Sequence, residues 1–352
     1  MKFLKDVSNK KLSAQAEAIT LAEYNPVSIY NVPVTNITKA KYPVVDMHSH
    51  DYPTTEAELD QWVATMDASN IRKTIVLSGY IGTEFDELVS RYSKYSDRFE
   101  LWCGLDLTKY GTDDFIPTLV AELERCHSLG AKGIGELTDK GDGVYLAFQD
   151  QYMAKGLHLN SPLMDQVYSK CKDLNMPLSI HVSEPYWFYL DIDASNDGLM
   201  NAEYWHIDTS VPDRHNYQQL LAEFGEAVSK NPETMFIACH YMNANHDLDT
   251  LGSYFDLYPN LYADISARFG ETGSIPRYMK EFYTKYADRL LYGTDNGTGS
   301  LMYQITFRFL ETADEHFYYP SLLYHWNYSA YDISDDVLKK VYYENAERVF
   351  GE

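Results

Sequence analysis

The stretch VVDMHSH, residues 44–50, carries the signals that decide both the fold and the site. Its apolar, β-branched start predicts a buried strand, and it ends on two histidines that are separated by one residue. Because side chains alternate along a strand, Asp46, His48 and His50 are expected on one side. Two imidazoles at one strand end can share a metal ion, although a His-x-His pair alone also fits two ordinary histidines.

Eight short runs rich in Val, Ile, Leu and aromatic residues recur along the chain. They start near Val44, Lys73, Phe99, Lys132, Leu178, Met235, Leu261 and Leu290. Between them, apolar residues recur at three- and four-residue intervals, as in amphipathic helices. The clearest helix signals are a capping box from Thr55 to Glu58, an apolar stripe that runs from Phe115 toward Gly130, and a start at Pro162.

This alternation of strands and helices predicts parallel strands joined by right-handed crossovers. Eight such units favour a closed (β/α)₈ TIM barrel over an open sheet, and no glycine-rich phosphate turn follows the first strand. We expect residues 42–352 to form the barrel and residues 1–41 to form an N-terminal extension that packs on its outside. The longest connections follow the fourth and fifth strands, and in a barrel such loops rise from the catalytic face.

Composition limits the classes of function. The 352 residues contain 29 Lys and Arg against 52 Asp and Glu, a net charge of -23, which argues against binding to a phosphate backbone. No apolar run is long enough to span a bilayer, and the N-terminus is polar and Lys-rich, so we expect a cytoplasmic protein without membrane association. The four cysteines are far apart, as expected for buried free thiols, and a homo-oligomer is left open.

Metal-capable side chains close three other apolar runs. The sequences Ser-Ile-His, Ala-Cys-His and Gly-Thr-Asp end at His181, His240 and Asp295. Since buried His and Asp are costly unless they are paired or coordinated, their repetition at the same depth of the predicted strands favours a metal centre over packing.

These residues resemble the amidohydrolase superfamily, in particular its amidohydrolase-related branch. The resemblance includes the motif from Asp46 to His50, the strand-end residues and a terminal run from Tyr343 to Arg348, and it covers nearly the whole chain. It implies a metal-dependent (β/α)₈ barrel and a hydrolase, a lactonase or a non-oxidative decarboxylase.

The resemblance also implies the ligands. They are His48, His50, His181 and Asp295, with His240 as a residue that contacts substrate, water or metal. Three nitrogens and one oxygen suit a single Zn²⁺, and Mn²⁺ is the alternative. The fourth strand offers Glu136 in place of a carboxylated lysine, and Glu136 either ligates an ion or pairs with a nearby Lys or Arg.

The leading interpretation is a metal-dependent hydrolase that acts on a small ester, lactone or amide, with a carboxylated substrate left open. In this scheme the ion activates water, Asp295 accepts its proton, and His240 polarises the scissile carbonyl. Arg268, at the end of the seventh strand, is a candidate clamp for a substrate carboxylate, or it pairs with local acidic groups. Tyr186 and Trp187 are candidates for a substrate-stacking wall, with Tyr204 and Trp205 of similar standing; core packing is the alternative for all four.

Two other functions compete with hydrolysis. A non-oxidative decarboxylase of a small aromatic or unsaturated acid would hold the substrate's hydroxyl and carboxylate at the same site, and a neighbouring acid would protonate the carbon. A non-catalytic metal-containing binding protein is the third alternative. No serine-hydrolase elbow, zinc-protease helix or nucleotide-binding loop appears in the sequence to suggest a fourth.

Overall fold

The computed structural model describes residues 13–146, 150 and 152–351. Its strands are β1 Val44–Ser49, β2 Ile71–Leu77, β3 Phe99–Trp102, β4 Ile134–Asp139, β5 Val144–Leu146, β6 Leu178–Val182, β7 Phe236–Ala238, β8 Leu261–Asp264 and β9 Leu290–Leu291. Its α-helices are α1 Ala14–Glu17, α2 Glu56–Ser69, α3 Gly82–Tyr92, α4 Phe115–Ser128, α5 Pro162–Asp173, α6 Leu199–Trp205, α7 Tyr217–Lys230, α8 Leu248–Leu257, α9 Phe269–Thr272, α10 Pro276–Lys285, α11 Ser300–Glu311, α12 Asp335–Lys339 and α13 Asn345–Phe350. A π-helical turn, Lys340–Glu344, joins α12 to α13.

The strands form two ladders that together make a ring. β1, β2 and β3 pair in parallel, and β4, β6, β7, β8 and β9 continue in parallel in the second ladder. At one seam the Cys103 N–H donates to the carbonyl of Gly133 over 3.0 Å, and at the other the Asp295 N–H donates to the carbonyl of His48 over 2.9 Å. The predicted (β/α)₈ architecture is therefore confirmed.

One strand was not predicted. β5 pairs antiparallel with β4, and the two form a hairpin at the carboxyl end of the fourth barrel strand. The turn between them contains Gly141 and Gly143, which have φ angles of 114° and 122° that residues with a Cβ rarely adopt. The long connection after the fourth strand thus begins with a short hairpin.

The predicted helices agree with the structure because their local signals are strong. α2 begins after Thr55, whose hydroxyl accepts the Glu58 N–H while the Glu58 carboxylate accepts the Thr55 N–H. α4 presents its apolar stripe to the core, and α5 begins at Pro162 behind the Ser161 cap. In α2 and α5 the side chains that cap the helix lie next to it in sequence.

Apolar side chains fill both the shell between strands and helices and the inside of the ring. The inner cluster brings together Val45, Met47, Ile75, Leu77, Trp102, Ile237, Leu291, Ala346 and Val349, the last two from α13. β1 shifts its register against β2 between Asp46 and Ser49. This irregularity lets β1 contribute Met47 to the inner apolar cluster and His48 to the polar mouth of the ring.

The described part of the N-terminal extension lies along the barrel in largely irregular conformation. Thr35 donates its N–H and hydroxyl to the carboxylate of Asp314, and the hydroxyl of Ser28 lies 3.1 Å from Nδ1 of His316. Residues 1–12 of the predicted extension lie outside the described residues. All four cysteines are buried free thiols.

None of the helices in residues 13–146, 150 and 152–351 combines the length and the apolar character that crossing a bilayer requires.

The tight packing inside the ring predicts that a side chain added at Gly133 lowers the stability of the fold. A Cβ at Gly133 would stand 2.4 Å from the Trp102 ring, which is fully buried. We expect Gly133→Ala to lower the free energy of unfolding by about 1–3 kcal/mol, because the indole must shift within a close-packed core. Urea denaturation measures this change.

The matched control is Gly299→Ala, because no atom lies within 4 Å of a Cβ built there. It should change the free energy of unfolding by less than about 0.5 kcal/mol. Equal effects of the two substitutions would contradict the packing argument.

Candidate metal centre and active site

Six side chains that can bind a metal ion converge at the carboxyl ends of the barrel strands. They are His48, His50, Glu136, His181, His240 and Asp295. Parallel strands around a ring end at the same mouth, so residues distant in sequence become neighbours there. The structure thus brings together the four predicted ligands and both further candidates, Glu136 and His240.

Glu136 lies among the histidines. Its Oε1 is 2.8 Å from Nδ1 of His181 and 3.3 Å from Nε2 of His240, and its Oε2 is 3.7 Å from Nε2 of His50. Of the two alternatives for this carboxylate, the geometry favours a role at the metal centre, since its close contacts among the described residues are to imidazoles.

Asp295 approaches the same histidines from the opposite seam of the ring. Its Oδ1 lies 3.0 Å from Nε2 of His50 and 3.6 Å from Nε2 of His48, and its Oδ2 lies 3.8 Å from Nε2 of His240. Its side chain is 23% exposed, against 9% for Glu136, so Asp295 is the carboxylate more open to the cavity.

Hydrogen bonds fix the tautomers of three histidines. Nδ1 of His50 donates to the carbonyl of Leu77 over 2.8 Å, and Nδ1 of His240 lies 3.1 Å from the carbonyl of Ser266. Nδ1 of His48 donates to the carboxylate of Asp264 over 2.9 Å. Because these oxygens only accept, each Nδ1 carries a proton, and each Nε2, the nitrogen left for a metal ion, is directed toward the carboxylates.

The residues present fit a divalent metal ion. Nε2 of His48 is buried and has no hydrogen-bond partner among the described residues, and Nδ1 of His181 faces Glu136. A buried polar atom without a partner is costly, and a cation between these nitrogens and the carboxylates would satisfy it.

Asp264, at the end of β8, connects two of these histidines. Its Oδ1 accepts the backbone N–H of His240 over 3.0 Å and the hydroxyl of Ser266 over 2.6 Å, while Oδ2 accepts the proton of His48. The Ser266 hydroxyl has donated its one proton, so it accepts from Nδ1 of His240 over 2.8 Å. One buried carboxylate therefore orients both imidazoles.

The backbone turns sharply after β7, and this turn positions the side chain of His240. The four residues from His240 to Asn243 have φ angles between 51° and 59°, a left-handed conformation that is costly for residues with a Cβ. Asn243 stabilises the turn by donating to the carbonyls of Val182 and Ser183. The turn places the imidazole of His240 over the centre instead of along the strand.

Charge in the site is balanced among close neighbours. Burial opposes ionisation of Glu136, but His181 and His48 hold the pKa of its carboxyl well below the usual range. Burial likewise opposes ionisation of Asp264, yet His48 and its hydrogen bond hold that pKa far below its ordinary value. Burial, together with the charge of Arg268, lowers the pKa of His240, which favours its neutral form.

A cavity of about 490 Å³ opens above the centre. His50, His181, His240, Glu136 and Asp295 form its polar floor, and its walls include Lys140, Glu184, Phe188, Trp205 and Arg268. This volume suits a small organic molecule.

Arg268 lies in the cavity wall, as the sequence predicted, but it already has partners. Its Nε and Nη2 donate to Oδ1 of Asn243 over 2.9 and 2.6 Å, and Nη2 lies 3.8 Å from Glu184. Oε1 of Glu271 is 3.9 Å from Nε. Arg268 thus faces the cavity and also pairs with local polar groups, and its role as a substrate clamp stays a prediction.

Tyr186 and Trp187 do not line the cavity. The ring of Tyr186 stacks on His246 with centroids 4.7 Å apart, and Trp187 packs edge-on toward Tyr324 at 6.4 Å. The stretch Tyr186–Tyr189 is a 3₁₀ turn, which directs Phe188 instead of its neighbours into the cavity. In the second aromatic pair, Trp205 lines the cavity, and Tyr204 is 72% exposed.

Sequence reasoning missed the pairing of Lys140 with Glu184 in the cavity wall. Lys140 follows β4 directly and Glu184 follows β6 by two residues, so both stand near the ends of adjacent strands. Their positions just after predicted strands could have marked both residues as candidates for the cavity wall. Their ion pair could not be read from the sequence, because it depends on which strands are neighbours.

The sequence matches the amidohydrolase family over residues 45–351. This chain belongs to that family. Among curated protein sequences, a comparison finds no significant match.

Several solved structures share the fold. A 2,6-dihydroxybenzoate decarboxylase from Rhizobium has a TM-score of 0.55 at 16% identity, over 88% of this chain and 99% of that chain. A dihydroxybenzoic acid decarboxylase from Polaromonas, with bound manganese and 2-nitroresorcinol, has a TM-score of 0.55 at 17% identity, over 88% and 97%. A 5-carboxyvanillate decarboxylase from Novosphingobium aromaticivorans, complexed with manganese, has a TM-score of 0.52 at 14% identity, over 91% and 100%. At identities this low, the structural similarity shows a common fold and nothing further.

The position of Asp264 generates a prediction about metal binding. Asp264→Asn keeps the shape of the side chain but removes its charge and one acceptor, so His48 loses its fixed tautomer. We expect the affinity for Mn²⁺ or Zn²⁺ to fall roughly 10- to 100-fold, as for other partners of metal-binding histidines. Competition with a chromophoric chelator measures the affinity.

The control is Asp193→Asn, an exposed aspartate whose carboxylate caps a local turn through Ser195. Its metal affinity should equal that of the unmodified chain. A folded Asp264→Asn variant with unchanged affinity would exclude the proposed orienting role.

Proposed function

We propose that this protein is a metal-dependent, non-oxidative decarboxylase of a small carboxylic acid. The observation that carries the proposal is the placement of His240, in a fixed tautomer, and of the cationic Arg268 in one cavity above a cluster of metal-capable side chains. The shared fold of three decarboxylase structures supports this function over the hydrolase that the sequence first suggested.

We propose that His48, His50, His181 and Asp295 hold one divalent ion, with Glu136 as a fifth donor. Two of the decarboxylases with the same fold contain manganese, so Mn²⁺ is to be tested beside the Zn²⁺ that the donor set suggests. When bound, the ion supplies a positive centre that orients oxygen atoms of the substrate and stabilises negative charge.

The chain's own groups account for the proton that the reaction needs. In decarboxylation the bond from carbon to the carboxylate breaks, its electron pair stays on the carbon, and carbon dioxide leaves. A proton must then reach that carbon. Nε2 of His240 and the carboxylate of Asp295 both face the cavity and are placed to take a proton from the bound substrate and return it to carbon.

We propose that Arg268 binds the substrate's anionic group. Its guanidinium is held by Asn243 on one side, which fixes its direction and leaves other donors for a ligand. Lys140 in the adjacent wall is paired closely with Glu184, whereas the carboxylates nearest Arg268 stand 3.8 and 3.9 Å away, so Arg268 is the cation more available to the substrate. Phe188 and Trp205 supply apolar surface for the body of the substrate.

Hydrolysis is the second candidate function. The specific observation in its favour is that Asp295 is the most exposed carboxylate of the centre and lies against His50, where it could accept a proton from an attacking water. The two reactions require different substrates and release different products, so one panel of compounds separates them. A binding protein without catalysis would turn over none of them.

We expect the Mn²⁺-loaded protein to convert at least one small hydroxy-aromatic or unsaturated carboxylic acid to carbon dioxide. In D₂O the product should carry one solvent deuterium on the carbon that lost the carboxylate, which mass spectrometry detects. His240→Asn should lower kcat by about 10²- to 10⁴-fold, the usual contribution of a general acid–base.

The control for this variant is His127→Asn, since His127 lies half-buried on α4 outside the cavity. Turnover of esters or lactones without release of carbon dioxide would assign the protein to the hydrolases instead.

The clamp has its own test, a comparison of anionic and neutral substrates. Arg268→Met should raise KM for a carboxylated substrate about 10- to 100-fold, the effect of losing a charge-assisted hydrogen bond in a cavity. The inhibition constant of its neutral amide analogue, measured by competition with the substrate, should change far less. Equal losses for both ligands would show that Arg268 acts only by supporting Asn243.

The control for the clamp is Arg277→Met, an exposed arginine on α10. Neither ligand should distinguish this variant from the unmodified chain.

A further inference from the structure

A second group of metal-capable side chains lies outside the cavity. Donor atoms of His158, His215 and Glu223 all stand within 4.8 Å of one another. None of the three residues lines the cavity above the barrel mouth. His158 precedes α5, whereas His215 directly precedes α7 and Glu223 lies on α7, so two separate segments meet at this point.

The two imidazoles of this group are stacked. Their ring centroids are 3.8 Å apart and their planes differ by 12°. Two protonated imidazoles at that distance repel each other, so the stack favours at least one neutral ring with a free lone pair.

Carboxylates approach both rings. Oε1 of Glu223 is 2.8 Å from Nδ1 of His215, and its Oε2 is 3.8 Å from Nδ1 of His158. Oδ2 of Asp139, a fully buried residue at the end of β4, lies 2.9 Å from Nδ1 of His158. Two imidazoles and the Glu223 carboxylate therefore surround a small volume, and Asp139 adjoins it through His158.

Two of these atoms lack the partners that their positions require. Nδ1 of His215 and Oε2 of Glu223 are both buried, and neither makes a hydrogen bond with a described residue. The His215 nitrogen is close to the Glu223 carboxylate, but it is not aligned with it as a hydrogen-bond donor. Two ligands of one ion have this relation, because each points at the ion and not at the other ligand.

We propose that His158, His215 and Glu223, with Asp139 as a fourth donor, form a second metal site for a divalent transition ion of the Zn²⁺ type. Two imidazoles with one or two carboxylates match the donors that zinc prefers. Binding turns the two rings out of their stack toward a common point. The side chain of His215 is 29% exposed, which leaves room for that rotation.

A metal ion at this site would stabilise one wall of the active-site cavity by linking the connection after β6 to the end of β4. His215 ends the long connection that follows β6, and this connection carries Phe188 and Trp205 of the cavity lining. The backbone N–H of His215 already donates to the carbonyl of Gly141 in the β4–β5 turn over 2.9 Å. An ion at the site adds a second link between the same two segments, so its role is structural.

The contrasting explanation is a histidine stack that is held by protonation alone. Burial opposes protonation of His158, but the hydrogen bond to Asp139 outweighs it and raises the pKa of that imidazole. A protonated stack requires no metal ion. The two explanations therefore differ in metal content and in the response of stability to metal.

The experiment uses the full chain, stripped with a chelator and titrated with Zn²⁺ alone. Glu223→Gln, which keeps the size of the side chain, and His215→Asn should each bind one equivalent fewer than the unmodified chain. Both should lose the part of the Zn²⁺-dependent rise in Tm that comes from this site. His127→Asn should match the unmodified chain in both measurements.

A folded Glu223→Gln variant with the same number of zinc equivalents and the same rise in Tm would overturn the proposal. The Co²⁺-loaded protein provides a second readout that does not depend on the stability of either variant. We expect loss of zinc equivalents in Glu223→Gln to be matched by loss of Co²⁺ absorbance in the visible region. An unchanged spectrum would also overturn the proposal.

Discussion

The buried carboxylate of Asp264 holds the active-site mouth together. It accepts hydrogen bonds from the His48 ring, the His240 backbone and the Ser266 hydroxyl, so three strand ends are tied to one charge. A carboxylate with no solvent contact is stable only when such donors compensate its desolvation. The orientation of the imidazoles is thus a consequence of satisfying this one buried charge.

The same need for compensation organises the rest of the site. The Nε2 atoms of His48, His50 and His240 face Glu136 and Asp295, and this arrangement of imidazole nitrogens and negative charge suits a metal cation. The strained turn that begins at His240 directs its imidazole toward this centre. Its left-handed backbone is held by hydrogen bonds from Asn243, and Asn243 in turn orients Arg268. Backbone strain, metal centre and cavity wall are therefore coupled through a few side chains.

The connections after β4 and β6 determine the shape of the cavity. The β4–β5 hairpin brings Lys140 to the wall, and the connection after β6 brings Glu184, Phe188 and Trp205. Barrel enzymes of one fold differ mainly in these loops, which set the substrate, while the strand ends set the chemistry. The proposed second metal site joins these two connections, so it would affect the cavity without touching a substrate.

The fold was largely predictable because its signals are local. The predicted start of each of the eight barrel strands lies within two residues of the observed start, and α2, α4 and α5 follow their capping and apolar patterns. The β4–β5 hairpin was missed, because the three strand residues after Gly143 give too short a pattern. Of the four aromatic candidates, Trp205 lines the cavity, whereas Tyr186 and Trp187 do not, because a 3₁₀ turn directs Phe188 into it instead.

The sequence by itself determined the order of strands and helices and the identity of the polar residues at the strand ends, since periodicity and chain direction fix both. It placed His48, His50, His181, His240 and Asp295 at one mouth because parallel strands share their direction. Only the tertiary structure decided that Glu136 faces those histidines, that Asp264 orients two of them, and that Arg268 shares Asn243 with the turn. Each of these contacts joins strands that are neighbours in space and distant in the chain, and no local pattern encodes such distances.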